Sequence, residues 1–173
     1  MISPRARQAC KERFACKGLF TSLLVSTMLM TLPAGNARSA EPADLLREFD
    51  RAQHIIDSSS RGCILFDIYI ANNRKQRSQG LMFIRSMGEY EGMLFIYPQP
   101  AEISMWMKNT LISLDMLFID DQLTVAAIHK NAVPLSTDVI SSGRIVQGVI
   151  ELNAGSVEKF DIKMGDRNIF PAG

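Results

Sequence analysis

Between Gln53 and Phe170 the apolar residues come in short runs of β-favouring type, each closed by turn formers, and this punctuation most restricts what the chain can fold into. Gln53 to Ile56 and Cys63 to Ala71 flank Ser58-Ser59-Ser60-Arg61-Gly62 and predict a hairpin. In its second strand Ile64, Phe66, Ile68 and Ile70 share one face, while Cys63, Leu65, Asp67 and Tyr69 share the other. Met93 to Tyr97 is a continuous apolar run ended by Pro98 and Pro100 and predicts a buried strand. Met105 to Thr110, Leu114 to Ile119, Leu123 to His129 and Ile145 to Leu152 predict four more strands, with Asp120-Asp121 as a tight hairpin turn. Helical spacing predicts a leading helix over 43–51 and short helices over 72–79 and 156–160. The fold class that follows is mostly β or α+β, a compact small barrel or sandwich-like domain with two or three short helices.

The N-terminal segment limits how this domain is stabilised. Five basic residues (Arg5, Arg7, Lys11, Arg13, Lys17) and one acidic residue (Glu12) precede an apolar run, Leu19 to Leu32, then Pro33 and small residues. That is the order of a cleavable secretory signal, cut after Ala37, and the run is too short and too interrupted by Ser and Thr for a permanent span. The predicted organisation is a signal over 1–37, a leader with a short helix over 38–52, and one β-rich domain over 53–171, working in the periplasm or outside the cell. Processing leaves 14 basic and 17 acidic residues, a net charge near −3, so no basic patch argues for nucleic acid. Of three cysteines only Cys63 survives, which forbids an internal disulfide in the processed chain and casts Cys63 as a small hydrophobe on a half-buried strand.

Five stretches then carry a resemblance. Gln79-Gly80-Leu81-Met82, Gly92-Met93-Leu94-Phe95, Trp106-Met107-Lys108-Asn109-Thr110 with Leu114-Asp115, Glu151-Leu152-Asn153-Ala154-Gly155, and Ile162-Lys163-Met164-Gly165-Asp166 resemble, in order and spacing, the domain of unknown function 192 family. The resemblance implies a compact mostly-β domain, often exported or anchored, with no activity to transfer. It also marks two departures, Met105 where an aromatic is common and Gln76 where an acidic residue is usual.

Established catalytic patterns are missing: there is no HExxH, CxxC, GxSxG or glycine-rich phosphate loop, and His54 and His129 stand far apart. Ser156-Val157-Glu158-Lys159 matches S-x-x-K without its companion motifs, and Ser156 reads more simply as a helix N-cap. No cofactor is called for.

Trp106 to Thr110 carries the most unusual chemistry. Read as a strand, it sets Trp106, Lys108 and Thr110 on one side and Met105, Met107 and Asn109 on the other. An indole beside an ammonium can stack on a sugar or apolar ring while the cation meets an anion. The plainer reading makes the sole Trp a core anchor, pairs Lys108 with Asp115 or Glu151, and uses Asn109 to fix a loop. Arg77 and Arg85 complete a cationic rim, or pair with Glu89, Glu91 or Asp115.

The leading function is thus a non-enzymatic accessory module binding a small anionic or carbohydrate-like ligand, or an envelope partner, through Trp106, Lys108, Asn109, Thr110, Asp115, Arg77 and Arg85. One alternative is an envelope-polymer hydrolase with Asp115 or Glu151 as acid or base beside Lys108. Another is a copper-handling protein using some of the seven methionines that survive processing, with Met105 and Met107 on one strand face. Met as core filler outweighs the latter.

Overall fold

The computed structural model describes residues 46–169. The predicted signal over 1–37, its expected cleavage point and the start of the predicted leader lie outside the described residues. Seven strands form one curled sheet: β1 (Asp50–Ser58), β2 (Gly62–Ala71), β3 (Glu91–Met105), β4 (Leu114–Ile119), β5 (Val125–Ala132), β6 (Ile140–Asn153) and β7 (Arg167–Ile169). Two short helices join them, α1 (Arg74–Gln79) between β2 and β3, and α2 (Ser156–Lys159) between β6 and β7. The spatial order is β5-β4-β6-β3-β2-β1-β7, and all pairs are antiparallel except β2 with β3. That parallel pair needs a crossover, which α1 and the segment after it supply.

Both faces of the central strands are apolar, so consecutive residues feed two clusters. Met93, Phe95, Met116, Phe118 and Val149 pack on one side with Leu81, Ile84 and Met107. Leu94, Leu117, Ile119, Ile150 and Leu152 pack on the other with Ile56, Phe66, Ile68 and Phe160. These are called the Phe95 face and the Leu94 face below. The predicted split of β2 holds: Ile64, Phe66 and Ile68 join the Leu94 face, Tyr69 the Phe95 face.

Local chemistry sets the ends of α1. Asn73 caps it, its side-chain oxygen accepting the Gln76 N–H at 3.0 Å, and Gly80 closes it at φ 50. Gly92 is required for a different reason. A Cβ there would lie 2.6 Å from the Glu151 carbonyl oxygen and 2.9 Å from Ile68 Cδ1, so β2, β3 and β6 can approach only around a glycine.

Several predicted elements are redrawn. In place of the leading helix over 43–51, residues 46–49 form a turn and β1 begins at Asp50, because Leu46 and Phe49 are held against the Phe95 face as a tertiary contact. Pro98 and Pro100 do not end β3. Pairing with β6 lapses between Ile96 and Ala101, and the prolines, which have no N–H to donate, occupy that lapse. The hairpin turn between β4 and β5 spans residues 120–124, with Asp120 Oδ1 accepting the Gln122 and Thr124 N–H groups at 2.9 and 2.8 Å. β6 begins at Ile140, ahead of the predicted start, as the partner of the extended β3. Ser156 is buried in the first turn of α2 rather than capping it; left-handed Gly155 is the cap.

Candidate functional site

Residues 106–110 are not a strand. β3 ends at Met105, and a tight turn follows, closed by the Thr110 N–H donating to the Met107 carbonyl at 3.0 Å. Asn109 occupies its left-handed position (φ 58), one that Asn tolerates, and its carbonyl accepts the Phe83 N–H at 2.8 Å. The turn drives Met107 fully into the Phe95 face and pushes Trp106 outward, 53% exposed. The sole tryptophan is therefore a surface residue, and the core-anchor reading is overturned. Lys108 sits above it, Nζ 5.6 Å from the ring centroid, a cation–π arrangement.

This turn forms one wall of a cavity of about 260 Å³ whose other wall is α1 and its exit, Gly80-Leu81-Met82. Phe95 and Tyr97 of β3 and Glu151 of β6 complete it. Arg74, Arg77 and Lys108 bring three cations to the lining, so the cleft is polar and positive at its rim. Arg77 is held firmly. Its guanidinium donates to the Asn72 and Ile96 carbonyls, each at 2.9 Å, and lies 5.2 Å from the Tyr97 ring centroid. Burial pushes the Tyr97 hydroxyl up, with the Arg77 charge pulling the other way and Glu151 adding to the rise. That hydroxyl donates to Met105 Sδ at 3.5 Å.

Glu151 is the chemically distinctive member. It is 4% exposed and pairs in register with Met93 and Met116, both fully buried, on the Phe95 face. Desolvation disfavours its charged form and pushes its pKa from 4.5 up to about 8. At neutral pH it is a buried carboxylic acid able to donate one proton.

The other candidates divide. Trp106, Lys108, Thr110 and Arg77 line the cleft. Asn109, Arg85 and Asp115 do not. Asn109 is a turn residue, and Arg85 is solvent-exposed beyond the lining. Asp115 pairs with Leu152 and so faces the opposite side of the sheet from Glu151. It is fully buried, and its two oxygens accept the Asn131 and Val157 N–H groups, each at 2.9 Å. Among the described residues Lys108 makes neither predicted ion pair, while Glu89 pairs with Lys159 (2.8 Å) and Glu91 with Arg51 (2.7 Å). That engagement of Lys159, with Ser156 buried, disposes of the S-x-x-K match. Met107 is fully buried in the Phe95 face and Met105 packs against that same cluster, both as apolar filler. Among the described residues no group of three or more His, Cys, Asp or Glu is placed to hold a metal, and no helix is long and apolar enough to cross a membrane.

Arg74, Gln79, Met82 and Tyr97 line the cleft without having been singled out as ligand contacts. Glu151 had a legible signal, a lone carboxylate inside Val149-Ile150-Glu151-Leu152. Of the two departures from the resemblance, Met105 lines the cleft, while Gln76 holds the backbone by accepting the Asn72 N–H and donating to the Glu48 carbonyl.

A small curled β-domain with one cation-rimmed cleft over a buried acid is the class that this fold and site define. The chain belongs to the family known as domain of unknown function 192, an uncharacterized family whose sequence pattern matches residues 55–170. Its fold is similar to that of a Sinorhizobium meliloti 1021 protein provisionally described as a transcription regulator. The two are 38% identical over 70% of this chain and 95% of that one, with a TM-score of 0.69. It is also similar to a protein of unknown function from Novosphingobium aromaticivorans DSM 12444, 26% identical over 84% of this chain and all of that one, with a TM-score of 0.68. No curated protein matches the sequence.

Proposed function

We propose that the domain is a non-enzymatic binding module for a small anionic ligand carrying a sugar-like or apolar ring. The observation that carries this is the exposed Trp106 with the Lys108 ammonium over its face, opening onto the cleft. The indole offers a stacking surface, and Lys108 and Arg74 offer charge to a carboxylate or phosphate. Glu151, protonated at neutral pH, offers a donor at depth without repelling an anion. A volume of about 260 Å³ falls just below the usual range for drug-sized ligands, which favours a monosaccharide-sized one. The net acidic charge of the processed chain disfavours nucleic acid as the ligand, so the regulator description of the Sinorhizobium protein is not extended to this one. The signal-like N-terminus supports action in the periplasm or outside the cell.

The test is thermal shift with glucuronate, with glucose as the neutral control, on wild type, Trp106→Ala and Lys108→Ala. Glucuronate stabilises wild type, and each variant loses most of that gain; saturation at a hundredfold over Kd amounts to about 2.7 kcal/mol. Identical responses in all three proteins overturn the site.

A second reading rests on Glu151 alone. A buried acid with a pKa near 8 is suited to general acid catalysis. The paired-carboxylate hydrolase loses its second member, since Asp115 faces away, so this reading requires turnover of a polymer fragment that Glu151→Gln abolishes while binding persists.

A further inference from the structure

Gly148 interrupts an otherwise filled apolar row. On the Leu94 face it stands in register between Ile96 of β3 and Ile119 of β4, with nothing projecting between those two side chains. The next row on that face, Leu94, Ile150 and Leu117, is complete and forms a floor. No left-handed φ requires the glycine. A Cβ there would meet the Phe95 carbonyl oxygen at 3.2 Å and Leu94 Cδ1 at 3.5 Å, close contacts but no outright clash. What the glycine keeps is space. A cavity of about 130 Å³ opens there, bounded further by Leu123 and by His54 and Asn168.

We propose that this gap is a second ligand site, separate from the cationic cleft, for a neutral ring the size of benzene bearing one hydrogen-bonding group. An apolar engineered cavity of about 150 Å³ accepts benzene, which sets the scale. The polar edge is neutral: His54 Nε2 lies 2.9 Å from Asn168 Oδ1, and burial holds the imidazole below its ordinary pKa, uncharged at neutral pH. The one charged residue at the lip, Asp120, is engaged by the turn that it organises. With no cation and one carboxylate in the lining, the gap rejects the anions that suit the cleft. The two sites lie on opposite faces of β3 and β6, so this inference stands independently of the cleft's ligand.

The probe is phenol, titrated into the ¹⁵N-labelled full chain with benzoate in parallel. Phenol shifts the amides of Leu94, Leu123, Gly148 and Asn168 and benzoate does not. Gly148→Val weakens phenol at least tenfold, and Ile96→Ala, which enlarges the gap, admits 2-naphthol at least tenfold more tightly than wild type. Unmoved amides in wild type, or a folded Gly148→Val that binds phenol as before, overturn the proposal. Should Gly148→Val fail to fold, Ile96→Ala decides, and no gain for 2-naphthol overturns it.

Discussion

Two carboxylates, one residue apart in the register of β4 and β6, have opposite fates because a pleated strand sends neighbours to opposite faces. Asp115 finds two backbone donors and is a fastener between β5 and α2. Asp115→Ala leaves both N–H groups without their acceptor and costs about 2–4 kcal/mol, read as a lowered denaturant midpoint. Glu151 meets methionines instead and stays protonated. Its folded pKa, about 8, exceeds the unfolded 4.5, so the native state retains a proton that the unfolded chain releases. Stability is therefore fully present below pH 4.5 and declines as pH rises to about 8, by up to about 5 kcal/mol. Glu151→Gln flattens that decline and melts above wild type at pH 8–9, which a pH series of melting curves reads directly. Trp106 gives the limit of reading single residues. Its type is legible as stacking chemistry, but whether it points in or out depends on the turn after Met105, and an alternating pattern contains no trace of that turn.

Elements were legible where period and punctuation agreed. The β1–β2 hairpin, α1 with its Asn73 cap and Gly80 stop, and β4 all carry local signals that packing reinforces. Boundaries failed where a tertiary partner overrode a local rule. The prolines of β3 read as a terminus, yet the strand continues because β6 extends alongside and tolerates a lapse in pairing. Gly92 lies at the junction of three strands, and its neighbours are backbone as well as side chain. Gly92→Ala forces β3 away from β6 and destabilises by about 3 kcal/mol or more, against a negligible effect for a substitution at exposed Ser104, by chemical denaturation of both. The cleft itself was half legible: its Trp-Met-Lys-Asn-Thr wall is a sequence motif, whereas the α1 wall reaches it only through the parallel crossover.

At the scale of the whole molecule, the sheet is held by contacts distant in sequence. β1 pairs with β7, Ile55 opposite Ile169, so the described chain closes on itself. Such pairing is formed late and makes folding slow relative to helical proteins of this length. The export reading is tested at this scale too: expressed with its N-terminus intact in a secreting bacterial host, the chain is recovered outside the cytoplasm with a mass beginning at Arg38, and an unprocessed cytoplasmic product overturns the assignment.

The β1–β7 pairing has a practical corollary. The chain enters β1 at Asp50, level with Ile70 at the end of β2 that leads into α1, and β7 runs towards that same end. The start of β1 and the finish of β7 thus point to the end of the sheet where β2 leads into α1, one wall of the cleft. A bulky reporter attached at Asp50 itself stands at the cleft's end of the sheet. Immobilisation through a residue of the β1–β2 turn, such as Arg61, leaves the cleft facing the solution.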